Sequence, residues 1–179
     1  MEGTLLIAHP LLNDGFFNRS VIYLTNKNEE GALGFVMNFK TQFKLRDVRP
    51  HVMNGNFPIY EGGPVAKDQL FFLHTLGEEI PESLHIKDGI YFGGDFNEML
   101  YKIEHSIVKV DQVRFFVGYS GWGEGQLDTE IKKGGWLQDK GTNDDIFKIR
   151  DEELWKQKLE SNKKGYGIFA EIGYDPSLN

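Results

Sequence analysis

Short apolar runs separated by turn residues fill the first forty positions of the chain. The runs lie at residues 4–8, 20–25 and 33–38, and the turn residues between them include Asn13-Asp14-Gly15 and Asn28-Glu29-Glu30-Gly31. Apolar runs of this length bounded by Gly, Asn and Asp are typical of β-strands. The opening of the chain is therefore predicted to be a meander of three strands.

The middle of the chain mixes strand and helix patterns. A short helix is predicted within residues 45–53, and further strands are predicted at 70–75, 89–92 and 113–117. Asp95 is followed three residues later by Glu98, which is the spacing of a capping box at a helix N-terminus. The buried stripe predicted for this helix consists of Met99, Leu100 and Ile103.

The last predicted helix covers residues 151–163, with Leu154, Trp155 and Leu159 facing the core. Strands and helices arranged on a largely antiparallel sheet define an α+β fold. A chain of 179 residues fits one domain, so residues 1–164 are predicted to be a single domain. Residues 165–179 are predicted to be a C-terminal tail, in which Ile168-Phe169 offers an edge strand.

A glycine-dense segment at residues 115–131 has the layout of strand, turn and helix that many folds use to build a site. A phosphate-binding loop is excluded because Glu124 stands where a lysine is required. A dinucleotide fingerprint fails because Gln126 or Asp128 replaces its third glycine. A serine-hydrolase elbow is disfavoured because Trp122 replaces its last glycine.

The glycines of this segment permit a tight corner, which is then followed by a predicted helix. Leu127 and Ile131 stand one helical turn apart and are predicted to face the core. Asp128 and Lys132 are predicted to form an ion pair on the outer face.

The chain is acidic, with a net charge of −7. The acidic side chains are concentrated in residues 61–130, which contain 5 Lys or Arg and 13 Asp or Glu. DNA is bound through neutralised phosphates, so direct contact with nucleic acid is disfavoured.

Composition also limits the chemistry and the location of the chain. The absence of cysteine excludes disulfides, thiolate zinc sites and a cysteine nucleophile. The five histidines show no paired metal-ligand spacing, and neither a metal nor a cofactor is predicted. The sequence has no apolar run near the ~20 residues that span a bilayer, and no signal-peptide layout, which predicts a cytoplasmic protein without membrane contact.

Seven residues are candidates for a binding site, and none is assigned a catalytic role. They are Arg19, Gly62, Gly63, His74, Ser120, Trp122 and Gln126. The Gly62-Gly63-Pro64 turn is expected to be rigid, and a fold that brought His74 to Ser120 would favour hydrolytic chemistry. An internal ion pair of Arg19 with an acidic side chain such as Glu61, Asp68 or Glu130 is the favoured explanation of that arginine.

Three blocks of sequence resemble the YqgE/AlgH family of bacterial proteins. They are Gly3-Thr-Leu-Leu-Ile-Ala-His-Pro with Gly31-Ala-Leu-Gly-Phe-Val-Met-Asn, then Gly62-Gly-Pro-Val, and finally Gly118-Tyr-Ser-Gly-Trp with Gly125-Gln-Leu. Departures from the family pattern are Asn26-Lys27-Asn28, where a histidine is often found, and Asp128, where glutamate is usual. The resemblance implies a bifurcated sheet wrapped as a pseudo-barrel with flanking helices, and some members of the family are labelled transcriptional regulators.

Three functions remain open at this point. The leading one is a non-catalytic binding or regulatory protein that contacts a protein partner through the surface around the glycine turn. The second is a small-ligand-binding protein or hydrolase with a pocket near Ser120 and His74. The third is a regulator that touches DNA directly, which the acidic charge disfavours.

Overall fold

The computed structural model describes residues 1–148 and 153–162. Its strands are β1 (Thr4–Ala8), β2 (Val21–Asn28), β3 (Gly31–Val36), β4 (Lys40–Lys44), β5 (Pro58–Glu61), β6 (Val65–His74), β7 (Leu84–Lys87), β8 (Ile90–Phe92), β9 (Val113–Gly123) and β10 (Trp136–Lys140). Its α-helices are α1 (Leu45–Val48), α2 (Phe96–Glu104), α3 (Gln126–Lys132), α4 (Asn143–Phe147) and α5 (Glu153–Ser161).

The strands form one branched sheet in the order β10-β1-β2-β3-β9-β6-β8-β7, with β5 on β9 and β4 on β5. Every pairing is antiparallel except that of β5 with β9. The sheet curls into a half-barrel with flanking helices, which confirms the predicted α+β fold with its largely antiparallel, bifurcated sheet.

The branch point lies on β9. One edge of β9 pairs with β6, while the other edge carries β5 at residues 115–117 and then β3 at residues 120–123. The sequence pattern predicted a strand that stopped at residue 117, before the glycine turn. That end was wrong, because the glycine-rich residues 120–123 continue the strand and pair with Gly31–Gly34 of β3.

Local signals located most of the other elements. β1 has the predicted bounds, and in α2 the Asp95 carboxylate accepts a hydrogen bond from the Glu98 backbone N–H at 3.1 Å. The three residues of the predicted stripe of α2 are buried. Strands β4, β5, β7 and β10 and helix α4 were not predicted, because each is only four or five residues long.

The last described helix, α5, covers the largest core cluster. Leu154, Trp155 and Leu159 are buried, as predicted, and the Trp155 indole N–H donates to the Ala8 carbonyl at 2.9 Å. On the flank of α5, the Lys158 ammonium lies 2.8 Å from an Asp145 carboxylate oxygen. These contacts fasten α5 to β1 and α4. The predicted tail at 165–179 and the Ile168-Phe169 strand lie outside the described residues.

Candidate functional site

Gly62 lies in the fork between β3 and β9. Its N–H donates to the Val117 carbonyl at 2.9 Å, and its carbonyl accepts from the Val36 N–H at 2.9 Å. The Ser120 hydroxyl donates to the same Gly62 carbonyl at 3.0 Å. Ser120 is fully buried, so its hydroxyl holds the fork together from inside the protein.

Gly63 and Gly118 let two backbone segments approach each other at the fork. A Cβ on Gly63 would lie 2.0 Å from the Tyr119 carbonyl carbon, and one on Gly118 would lie 2.4 Å from the Gly63 carbonyl oxygen. Gly118 also has a φ of +71°, which favours glycine. The structure therefore brings the candidates Gly62, Gly63 and Ser120 together at a backbone crossing in the interior.

His74 is fully buried at the C-terminal end of β6. Its Nε2 lies 3.0 Å from the Gly93 carbonyl, and its Nδ1 accepts from the Leu76 N–H at 3.2 Å. Since an acceptor at Nδ1 leaves the proton on Nε2, the neutral ring satisfies both neighbours. Its face also stacks on Tyr91, with ring centroids 5.7 Å apart.

The structure does not bring His74 to Ser120. His74 pairs with Val113 of β9, whereas Ser120 lies seven residues further along that strand. At about 3.3 Å per residue, this separation is on the order of 20 Å. A general base must lie within hydrogen-bond reach of the hydroxyl that it activates, so these two residues do not form a nucleophile and base pair.

We expect His74 to make the stability of the protein depend on pH. Burial lowers the pKa of its imidazole, and the hydrogen bond with Gly93 offsets this only in part. The unfolded chain takes up a proton at about pH 6.5, whereas the folded chain resists it. The contribution of His74 to the free energy of unfolding is therefore fully present above pH 6.5. Below pH 6.5 it is lost at a rate of at most about 1.4 kcal/mol per pH unit.

Urea unfolding of the wild type and of His74→Gln on both sides of pH 6.5 measures this effect. The variant is less stable at neutral pH because it loses buried contacts, but it loses less of its stability on acidification. His51→Gln supplies the control, because it makes the same substitution at an exposed histidine that has no buried contacts to lose. Equal slopes for His74→Gln and the wild type would contradict the assignment.

A single carboxylate links the two tryptophans that flank α3. Glu130 Oε2 accepts from the Trp122 indole N–H at 2.9 Å and from the Trp136 indole N–H at 2.8 Å. Glu130 Oε1 accepts from the Gln126 amide at 2.9 Å, and the Gln126 carbonyl accepts from the Gly123 N–H at 3.0 Å. The candidates Trp122 and Gln126 thus belong to one network that closes the glycine turn onto α3.

Most of this network is hidden beneath other side chains. Trp122 is 6% exposed, Trp136 is 4% exposed, and Phe17 stacks on Trp122 with ring centroids 6.4 Å apart. Glu130 was missed as a site residue by the sequence analysis. The available signal was its position four residues after Gln126 on a helix that lies between two tryptophans.

An open depression of about 390 Å³ lies on the outside of this network. It is lined by Glu124, Gly125, Gln126, Thr129, Glu130 and Lys133. The lining carries both charges and the amide of Gln126. It also exposes Gly125, which adopts a φ of +64° at the start of α3. Among the seven candidates, Gln126 is therefore the one that lines this depression.

Two of the three acidic side chains predicted as partners of Arg19 bind other groups, and the Arg19 guanidinium packs against α5. The guanidinium lies 5.2 Å from the ring centroid of Trp155. Glu61 instead pairs with Lys67 at 2.6 Å, and Glu130 binds the two tryptophans. The backbone of Arg19 has a φ of +58°, and the buried Asn38 side chain holds this loop through the Arg19 carbonyl at 2.8 Å.

The expected ion pair between Asp128 and Lys132 is replaced by a longer-range one. Asp128 pairs with Lys27 of β2, 101 residues away in sequence. Lys27 lies in the stretch where the family often has a histidine, and Asp128 stands where the family usually has glutamate. The two residues of this ion pair are therefore both departures from the family pattern.

Residues 1–148 and 153–162 lack two kinds of feature. No group of three or more His, Asp or Glu side chains is arranged there to hold a metal ion. No helix in those ranges has the length and apolar character needed to cross a membrane.

Comparisons with known proteins give consistent results. A family model described as AlgH-like matches residues 5–166. A UPF0301 protein of Parabacteroides distasonis is 40% identical, over 100% of this chain and 91% of its own length. A UPF0301 protein of Cytophaga hutchinsonii is 38% identical, over 99% and 98%.

Two solved structures share the fold. The solution structure of the AlgH protein from Pseudomonas aeruginosa has a TM-score of 0.77 and 25% identity, and the match covers 97% of this chain and 95% of that one. A crystal structure from Corynebacterium diphtheriae has a TM-score of 0.78 and 17% identity, with 94% and 90% covered. The second likeness concerns the fold alone.

Proposed function

The chain belongs to the AlgH-like family, and we propose that it is a non-catalytic protein whose surface around the glycine turn and α3 binds a protein partner. Any part that it plays in regulation is indirect and follows from that contact. The proposal places the chain in the cytoplasm of a bacterium, without direct contact to DNA.

One observation supports this proposal. The two candidates with reactive side chains are buried and hydrogen-bonded inside the protein, whereas the outer surface of α3 is accessible to a partner. Ser120 and His74 are fully buried and hydrogen-bonded to backbone groups. The depression over α3 instead exposes polar groups on a rigid base, because Glu130 holds both tryptophans in place. A fixed surface with few groups to order on binding favours association, since less conformational entropy is lost.

The net charge of −7 supports a protein partner over DNA. Phosphates repel an acidic protein at long range, whereas protein interfaces contain both charges and exposed backbone. Lys133 and Glu124 supply opposite charges at the rim of the depression. Pairs of this kind set the orientation of a partner more than they set its affinity.

Site-specific photocrosslinking tests the proposal. Thr129 lies in the depression and Gln138 is exposed on β10, so each is replaced in turn by a photoreactive phenylalanine analogue. We expect a discrete protein adduct from position 129 and none from position 138. Glu124→Lys reverses a charge at the rim of the depression and should lower the yield of that adduct about tenfold. The control Glu160→Lys on α5 should leave the yield unchanged.

Adducts of equal yield from positions 129 and 138 would contradict the proposal, as would the absence of any adduct. The depression also leaves a small ligand as a second candidate, because its volume accommodates a metabolite. A thermal-shift screen against nucleotides and metabolites separates the two. A ligand at 100 times its Kd adds roughly 2.7 kcal/mol of stability, which is on the order of 5 to 10 °C here.

A further inference from the structure

Residues 40–53 form a basic segment on an acidic protein. The segment, which we call the basic edge, comprises β4, α1 and the loop that follows. It contains four Lys or Arg and one Asp, against a net charge of −7 for the whole chain. The single acid, Asp47, accepts a hydrogen bond from the Lys44 backbone N–H at 2.7 Å.

The positive charges of the basic edge are not neutralised within the described part of the chain. Lys40, Lys44 and Arg46 form no ion pair with a carboxylate of residues 1–148 or 153–162. Elsewhere, the lysines at positions 27, 67, 102, 148 and 158 are paired, and the lysines at 87, 109, 132, 133, 140 and 156 form no ion pair with a described carboxylate. The basic edge gathers three such cations within residues 40–46. The basic edge is therefore a local positive region that a negative partner would complement.

The basic edge also exposes large apolar side chains. Met53 is 77% exposed and Phe43 is 50% exposed, and Val48 lies between them in sequence. Isolated exposed apolar residues are ordinary, but a group beside unpaired charge is the pattern of an interaction surface.

The C-terminal end of α2 and the residues after it bind the loop that carries Met53. The Asn54 amide donates to the Glu104 carbonyl at 2.6 Å and lies 3.3 Å from the Ser106 hydroxyl. The second of these contacts joins the residue after Met53 to the residue before Ile107, which is 52% exposed. The loop is also fixed at its other end, because Arg49 lies 5.5 Å from the ring centroid of Phe96.

We propose that the basic edge docks an acidic segment of a protein partner, with apolar side chains of that segment seated on Met53 and Phe43. This surface shares no residue with the depression over α3. It thus goes beyond the proposed function by giving the chain a second binding face. The charge pattern determines the chemistry of the occupant, since carboxylates complement Lys40, Lys44 and Arg46 and the exposed side chains desolvate against apolar groups.

Nucleic acid and anionic membrane are less suitable occupants. Each presents a dense array of negative charge to the whole molecule, which carries a net charge of −7. An acidic peptide segment carries few charges and meets only the local positive region. The flexible, polarizable side chain of Met53 is also of the kind that adapts to varied side chains at peptide-binding surfaces.

Selection from a displayed library of short random peptides tests the inference. We expect the intact protein to enrich peptides that combine Asp or Glu with large apolar residues. The variant Lys44→Glu/Arg46→Glu should lose this enrichment, and binding of a selected peptide measured by fluorescence anisotropy should weaken at least about tenfold. The control Lys140→Glu/Lys156→Glu changes the charge equally on β10 and α5 and should bind within about twofold of the wild type.

Two further variants, each of which removes an exposed apolar side chain, test the apolar part of the basic edge. Met53→Ser should weaken binding of the selected peptide about fivefold or more, whereas Leu84→Ser on β7, where the side chain is 63% exposed, should leave binding unchanged. Circular dichroism establishes that all four proteins are folded. Added salt should weaken the peptide contact, because the charges are exposed.

Three outcomes would overturn the inference. They are enrichment of basic or neutral peptides, equal losses for the basic-edge variant and its control, and tighter binding of single-stranded RNA or phosphatidylserine vesicles that depends on the same residues. The crosslink from position 129 reports on α3 separately. Loss of that crosslink with intact peptide binding would reject the proposed function alone, and the reverse result would reject the basic edge alone.

Discussion

Gly63→Ala is expected to destabilise the protein by about 4 kcal/mol or more. The added Cβ would lie 2.0 Å from the Tyr119 carbonyl carbon and 2.3 Å from the Ser120 nitrogen. Overpacking usually costs about 1–3 kcal/mol because side chains rotate away, but backbone atoms at a strand fork cannot. The melting temperature should fall by roughly 8 to 16 °C, at about 2 to 4 °C per kcal/mol.

Gly15 provides the matched control. A Cβ at Gly15 would have no heavy atom within 4 Å, so Gly15→Ala should change the stability by no more than about 1 kcal/mol. Urea unfolding followed by tryptophan fluorescence measures both variants. A Gly63→Ala protein as stable as the wild type would show that the two backbones at the fork separate easily, contrary to the packing described above.

Glu130→Ala is expected to cost roughly 2 to 5 kcal/mol. The substitution removes the acceptor of two indole N–H groups, and both tryptophans are at least nine-tenths buried. A buried donor left without an acceptor costs about 1–3 kcal/mol, and here two are affected at once. The glycine turn should also loosen, since Gln126 loses its partner on α3.

The conservative variant separates the hydrogen bonds from the packing. Glu130→Gln keeps one carbonyl oxygen for the indoles and should recover at least half of the loss, whereas exposed Glu124→Ala should be neutral. Unfolding free energies and the wavelength of tryptophan emission report on the same clusters. If Glu130→Ala and Glu124→Ala were equally stable, the carboxylate would not be holding the tryptophans.

The sequence predicted best where the cause of a structure is local. Helix α2 followed from a capping pair three residues apart and an apolar stripe, both of which act within one or two turns. Strand β1 followed from an apolar run bounded by turn residues. Strands β4 and β7 carry no such signal, because they are held by their partners across the sheet rather than by their own side chains.

The roles of the candidate residues depended on distant contacts. The glycines at 118 and 121 resembled a site-forming turn, yet β9 continues through them because Gly63 and β3 pack against that strand. His74 and Ser120 are separated by the register of β6 against β9. Register is set by the whole pattern of buried faces, which a motif of a few residues does not contain.

By itself, the sequence determined the α+β class, the family, the exclusion of cysteine chemistry and most of the elements, since each depends on composition or on short-range periodicity. Only the tertiary structure decided that Gly62, Gly63 and Ser120 form an internal fork and that Glu130 binds two tryptophans. It also decided that the cations of the basic edge stay unpaired by the described carboxylates. The physical reason is that packing of the whole fold decides which polar groups lie within hydrogen-bond distance of each other. Many of these groups are far apart in sequence, so a local pattern does not identify the partner.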